Sequence, residues 1–143
     1  MKLIDLEPGD PRLVSDLLPV LRELRPHLTE ELLGEVYGEG HGQGLRFTVA
    51  YSDDGIGVGV AGWRIVVNTS ALRKLYVDDL VTAATARSTG VGRALLAYLD
   101  GCAREAGCHR VSLDSGTQRV DAHRFYFRER MAVTAFHFDR HLD

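Results

Sequence analysis

The stretch from Leu72 to Ala106 restricts the possible folds more than any other part of the chain. Leu72 to Thr82 reads as a long strand, and a loop of small residues, Ala83 to Thr89, follows it. Gly90 to Ala106 then places Val91, Ala94, Leu95, Tyr98, Leu99, Cys102, Ala103 and Ala106 on one stripe at helical spacing. Gly107 stands where a left-handed residue ends a helix. A strand that feeds an amphipathic helix through a short loop calls for an α/β architecture, because the apolar stripe has to lie against a sheet.

The flanking segments supply that sheet. Lys2 to Leu6 reads as a strand, and Asp10 to Leu24 as a helix with Leu13, Leu17, Leu21 and Leu24 at spacings of three and four. Asp10 suits its N-cap, Pro11 its first turn, and Pro26 stops it. Thr29 to Tyr37 reads as a second helix capped by Thr29, and Gly38 to Gly44 as a polar, glycine-rich loop. Leu45 to Tyr51 and Ile56 to Val67 read as strands joined by a turn at Asp53-Asp54-Gly55. Gly57, Gly59 and Gly62 mark a bulge or a close backbone approach in the second of them. Arg110 to Leu113 is expected as a short buried strand and Val120 to Glu129 as a helix. Val133 to Leu142 is expected as a last strand, because Phe136 and Phe138 alternate with His137 and Asp139.

With 143 residues and 45% hydrophobic content, the chain is expected to form one domain spanning 1–143 around a single core. A net charge of -3 provides no basic field for phosphate backbones, so nucleic acid is not an expected partner. No apolar run approaches the roughly 18 residues that cross a bilayer, and Met1 to Leu6 lacks the pattern of a signal peptide. A cytoplasmic protein without membrane association is expected. Cys102 and Cys108 have no second pair or histidine cluster around them, so both read as reduced thiols, Cys102 in the core, and no metal is expected.

The junction from Thr82 to Ala94 carries the chemistry. The first N–H groups of a helix lack internal partners and sit at the positive end of its dipole. Gly90 and Gly92 remove side chains that would block close approach, so the turn can cradle a diphosphate. It is not a P-loop, since Gly92 is followed by Arg93-Ala94 rather than Lys-Ser or Lys-Thr. A Rossmann fingerprint would need a third glycine where Leu95 stands, and would open the first βαβ unit. Taken alone, the turn reads first as an ordinary tight connection between strand and helix.

A second motif adds to it. Arg87-Ser88-Thr89-Gly90-Val91-Gly92 resembles the Gln/Arg-x-x-Gly-x-Gly/Ala signature of the GNAT acetyltransferase superfamily, and Ala122-His123-Arg124-Phe125-Tyr126 resembles its later Ala-x-x-Phe-Tyr helix. The order of elements agrees over nearly the whole chain. The resemblance implies a mixed, mostly antiparallel α/β sheet of six or seven strands flanked by about four helices, with strands 4 and 5 parallel and splayed. It implies acetyl-CoA as cosubstrate. Leu80, Val81 and Thr82 would meet the pantetheine arm through their main chain, and Arg87, Ser88, Thr89, Gly90, Val91, Gly92 and Arg93 would surround the diphosphate. It further implies N-acetyl transfer to a primary amine, and a homodimer by family habit.

An amine with a pKa of roughly 10.4 is protonated at neutral pH and must lose a proton before it attacks a thioester. The departing thiolate is helped by a general acid. Ala122, Phe125 and Tyr126 share a helix face, which makes Tyr126 a boundary tyrosine or, on the resemblance, that acid. Asp78 and Asp79 interrupt an otherwise apolar strand, with side chains expected on opposite faces. Either could be the base, Asp78 ahead of Asp79, or a water could take the role. Glu30, Glu31 and Glu35, with Asp78 and Asp79, point to a cationic acceptor or simply to a solvated helix face. Arg25 and His27 fall in the same region, and Trp63 and Tyr76 read as core or as pocket lining.

The sequence departs from the family pattern in two places. Arg130-Met131 replaces the usual Gly-Phe after the tyrosine helix, so that turn is expected to be built differently. Arg119 stands where asparagine is common, and could reach a cofactor phosphate. Besides the enzyme, a second class stays open at this point: a silent acyl-CoA-binding sensor.

Overall fold

The computed structural model describes all residues, 1–143. By internal contacts the chain divides into two compact units, Met1–Ser112 and Leu113–Asp143.

The strands β1 (Lys2–Leu6), β2 (Arg46–Tyr51), β3 (Gly57–Asn68), β4 (Leu72–Thr82) and β5 (Arg110–Leu113), all within the first unit but for Leu113 at the boundary, form a sheet in the order of the chain. The pairs β1–β2, β2–β3 and β3–β4 are antiparallel, and β4–β5 is parallel. The sheet has five strands, not the six or seven expected.

The helical elements follow local chemistry. Asp10 accepts a hydrogen bond from the Arg12 N–H at 2.9 Å, as its N-terminal position predicts. The first turn, Leu13–Leu17, is a π-helix, and α1 continues it over Leu18–Leu24. Pro19 lacks the N–H that an α-helix would direct to Ser15, so the turn before it widens and the Leu18 N–H reaches back to Leu13 O. The α2 helix, Glu30–Gly40, begins at Thr29, whose hydroxyl accepts from the Leu32 N–H at 3.1 Å. It runs through Gly38 and passes into a 3-10 turn, His41–Gln43, so the segment expected as a loop is mostly helical. The α3 helix, Val91–Glu105, ends on Gly107 at φ 73, where the Gly107 and Cys108 N–H groups close onto Arg104 O and Ala103 O.

The core gathers Leu6, Leu17 and Leu21 with Tyr37, Phe47, Val49 and Val60, all nearly fully buried. The Tyr37 hydroxyl donates to Leu6 O, satisfying its one polar atom inside the core. Trp63 is buried and donates to Thr48 Oγ1 at 3.0 Å, so it is a core residue rather than pocket lining. Cys102 is half-buried, short of the core position expected.

Close approach explains Gly59. A Cβ there would come within 2.5 Å of Val91 Cγ1 and 3.0 Å of Leu95 Cδ1. The start of α3 therefore packs directly on the backbone of β3, which fixes the position of the turn that precedes the helix.

The second unit holds α4 (Val120–Arg128), close to the span expected. Its C-terminal turn corrects the sequence reading. Arg130 itself adopts φ 64, and the Arg130 and Met131 N–H groups bond to Phe127 O at 3.1 Å and Tyr126 O at 3.0 Å. This is the closure a glycine would make, formed by an arginine against the steric cost of the left-handed region. Val133 to Leu142 is not a strand: residues 131–143 form no ladder. Alternation gives a segment the side chains of a strand, but a strand exists only where its main-chain groups have a neighbour to pair with.

Candidate functional site

Two features of the first unit meet along β4. The first is the turn at its C-terminal end. The Ala83 N–H donates to Val58 O at 2.8 Å and the Ala84 N–H to Glu23 Oε1 at 2.9 Å, anchoring the chain as it leaves the sheet. A single 3-10 turn, Ala84–Ala86, follows. Ser88 at φ 63 and Gly90 at φ 88 then bracket Thr89, whose hydroxyl donates to Ala86 O. Gly90 is the residue before α3, and the space where its Cβ would stand is open. The first intrahelical bond runs from the Ala94 N–H to Gly90 O at 3.0 Å, so the Val91 and Gly92 N–H groups precede the ladder. Arg87, Ser88, Thr89 and Arg93 are exposed around this end. Main-chain donors and the helix dipole make such a turn able to bind an anion.

β3 occupies one edge of β4 there, with Thr82, Val81 and Leu80 opposite Gly59, Val60 and Ala61. β5 begins near the other end of β4, where the His109 N–H donates to Arg73 O at 2.9 Å. It is four residues long against eleven for β4. At about 3.3 Å per residue, the far edge of β4 at Leu80–Thr82 lies beyond it.

The second feature is a cleft of about 520 Å³, lined by α1, α2 and the middle of the sheet. Asp78 and Asp79 both line it, contrary to the expectation that they face opposite sides. The register explains why. Gly62 is opposite Asp79 but Trp63 is opposite Val77, so Asp78 is the extra residue of a β-bulge. The bulge breaks the alternation and turns both carboxylates toward one space. Gly62 makes room for the second: a Cβ there would lie 2.7 Å from Asp79 Oδ2.

Both carboxylates are matched by arginines. Arg64 forks onto Asp78, Nε to Oδ2 at 2.9 Å and Nη2 to Oδ1 at 3.0 Å. Arg25 Nε donates to Asp79 Oδ1 at 2.8 Å, and its Nη2 reaches Asp78 O at 3.1 Å. Asp78 thus engages both oxygens, and Asp79 one. The Asp79 side chain is 15% exposed. Burial lifts its carboxyl above the usual aspartate range, Arg25 pulls the other way, and the charge of Asp78 adds to the lift.

His27, Glu39 and Gln43 complete the polar lining. Glu30, Glu31 and Glu35 are exposed on α2 and line none of it. Glu39 is the acidic residue that sequence reasoning missed; it lies inside the stretch expected as loop, where no helical period pointed to it. Arg64 was missed as well, since only the β3–β4 pairing sets it opposite Tyr76, two residues from Asp78. Tyr76 stays outside the cleft, with the Arg64 guanidinium 5.3 Å from its ring centroid.

In the second unit, Tyr126 is half-buried on α4 with its ring 5.5 Å from that of Phe125. Burial raises its hydroxyl pKa, and the positive charge of Arg119 opposes the rise. The phenol therefore keeps its proton at neutral pH. No group of three or more His, Cys, Asp or Glu side chains is arranged to hold a metal ion. No helix is long and apolar enough to cross a membrane.

Solved structures give this arrangement a class. An acetyltransferase from Trypanosoma brucei is 25% identical, with a TM-score of 0.77 over 99% of each chain. The aminoglycoside N-acetyltransferase AAC(6')-Iy, solved with CoA, shares the fold at a TM-score of 0.84 and 14% identity, over 99% of this chain and 93% of that one. The fold is that of the acetyltransferases. More particularly, the chain belongs to the acetyltransferase (GNAT) family, whose model matches residues 12–131. An uncharacterized N-acetyltransferase, YhdJ of Bacillus subtilis, is 58% identical over 60 residues, 42% of each chain. The aminoalkylphosphonate N-acetyltransferase of Salmonella typhimurium is 36% identical over 66 residues, 46% of this chain and 43% of its own. The matched segments thus span less than half the length of these relatives.

Proposed function

We propose that residues 1–143 act as one N-acetyltransferase domain that moves an acetyl group from acetyl-CoA to a primary amine by direct attack in a ternary complex. The observation that carries this reading is the joint presence, along β4, of a helix start whose first main-chain N–H groups precede the ladder and a cleft that holds a largely shielded carboxylate. Family membership and the CoA bound by AAC(6')-Iy support it.

The turn fits the cosubstrate. The Val91 and Gly92 N–H groups would hold the diphosphate, with Ser88, Thr89, Gly90 and the cations of Arg87 and Arg93 around it. Leu80, Val81 and Thr82 would offer main-chain groups to the pantetheine arm, and Arg119 a cation to a phosphate. The amine enters the cleft as an ammonium ion. Asp79 takes its proton, directly or through water; its lifted pKa makes it a stronger base than an ordinary aspartate while Arg25 keeps it ionised. Asp78, forked by Arg64, orients the site and is the weaker candidate for base. The free amine attacks the thioester carbonyl, and the nitrogen gives its surplus proton to water. The tetrahedral intermediate then breaks its C–S bond as the Tyr126 hydroxyl gives its proton to the leaving sulfur, and water reprotonates the phenolate. With both aspartates matched by arginines, Glu39 supplies the remaining attraction for a cationic acceptor.

We infer as well that the protein works as a homodimer, and in the cytoplasm, where its two free cysteines would stay reduced. Release of CoA thiol over a panel of primary amines tests the central reading. Amine-dependent release is expected. Tight CoA binding with no thiol released by any amine would instead favour a silent acyl-CoA sensor.

A further inference from the structure

A carboxylate serves as base only while one of its oxygens faces the amine, and a bulge interrupts the ladder that would otherwise hold its strand in place. At the β4 bulge that holding falls to a side chain from another element. Arg25 Nε donates to Asp79 Oδ1 at 2.8 Å, and its Nη2 donates to Asp78 O at 3.1 Å. One planar group thus grips the Asp79 side chain and the main chain of the residue before it. Asp79 Oδ2 accepts no hydrogen bond within the chain, and Gly62 leaves the space beside it clear.

Arg25 is itself fixed at both ends of its backbone. Its N–H closes α1 on Leu21 O at 2.8 Å, and its carbonyl accepts from the Leu28 N–H at 3.1 Å. Pro26 turns it out of the helical region, to φ -122 and ψ 73. The guanidinium therefore reaches β4 from a set point. No other group of the cleft takes its place. Arg64 is forked onto Asp78, and neither His27 nor Glu39 bonds to Asp79.

We propose that Arg25 is the positioning residue of the base: by holding Asp79 Oδ1 and Asp78 O together, it leaves Oδ2 as the oxygen that meets the amine. This deepens the acetyl-transfer reading above and rests on Asp79 as its base. Charge and geometry are separable in this role. The charged and titratable groups about Asp79 are Arg25 from α1, Arg64 from β3 and Asp78 from β4, with His27 and Glu39 along the cleft. Of these, Arg25 lowers the Asp79 carboxyl and Asp78 raises it. A lysine at position 25 keeps the cation, but its compact ammonium lacks the rigid fork that spans both acceptors.

Arg25→Lys, Arg25→Gln and Asp79→Asn test it through two readouts. One is the pH profile of kcat with the primary amine of the panel that releases thiol fastest. The other is a carboxyl-carbon NMR titration of aspartate-labelled protein, in which Asp79→Asn identifies the Asp79 signal. Arg25→Lys should lose about tenfold or more of the plateau kcat, the scale of a misplaced reacting group, with the acid limb where the native protein has it. Arg25→Gln should lose as much and carry both the limb and the Asp79 signal to higher pH. Removing the cation raises the carboxyl and leaves more of the base protonated at any given pH. The CoA Kd and the circular dichroism spectrum should be unchanged in both. A plateau kcat in Arg25→Lys equal to the native value, or an Asp79 signal in Arg25→Gln that titrates where the native one does, would overturn the role of Arg25 and leave the base in place. An acid limb that survives Asp79→Asn, or no turnover with any amine, would overturn the base and this inference with it.

Discussion

The turn before α3 and the cleft at the β4 bulge lie along the same strand, yet they are made by different means. The turn is local. Its donors are main-chain N–H groups between Ser88 and Arg93, set by two left-handed residues and a helix start. The cleft is assembled from afar. Its carboxylates, Asp78 and Asp79, are paired with Arg64 and Arg25, fourteen and fifty-four positions away. On the proposed reading, the cosubstrate's site rests on backbone geometry that many sequences support, whereas the acceptor's site depends on side chains that only the whole sheet brings together, and each can change without disturbing the turn.

Substitutions should separate the two regions. The largest effect is expected at the proposed proton-transfer groups. Tyr126→Phe and Asp79→Asn should each lower kcat by about 100-fold or more, the scale of general acid–base catalysis, with the Kd for CoA nearly unchanged by calorimetry. The pH profile sharpens the assignment. Because burial raises the Asp79 carboxyl, the rate should fall as pH drops through a value above the ordinary aspartate range, and Asp79→Asn should remove that limb. If the limb persists in that variant, the base lies elsewhere. Gly90→Val acts on the other region. A β-branched residue at φ 88 carries a strain of about 1–3 kcal/mol, so CoA binding should weaken by about tenfold, measured by calorimetry on the folded variant. Arg64→Gln should change the KM for the amine by at most about fivefold, the scale of a partly exposed ion pair, and leave the CoA Kd as it was. The smallest effect is expected in the second unit. Arg130→Gly relieves a left-handed arginine and should add about 0.5–1 kcal/mol, read as a rise of about 2–4 °C in Tm.

The same contrast governs what the sequence reveals. The turn was legible because its signal is contiguous: small residues, Gly90 and Gly92, then an apolar stripe at helical spacing. The Thr29 cap, the Gly107 helix end and the bounds of β1, β4 and β5 were legible for the same reason. The bulge was not. Strict alternation sends Asp78 and Asp79 to opposite faces, and only the offset between Gly62/Trp63 and Asp79/Val77 reverses that. The π-helical turn before Pro19 changed a hydrogen-bond pattern that leucine spacing does not report. Arg130 at the end of α4 shows that the glycine pattern names the cheapest residue for a conformation, not the only one that adopts it. The last expected strand failed differently: the alternation at 133–142 is real, but pairing is a property of two segments, and one sequence window describes a single partner.

The location of bound coenzyme tests the account most directly. Crystals soaked in CoA should show difference density for the diphosphate against the Val91 and Gly92 amides, with the arm running along Leu80–Thr82. Well-ordered coenzyme bound at another surface, with the Arg87–Arg93 turn unchanged, would contradict it.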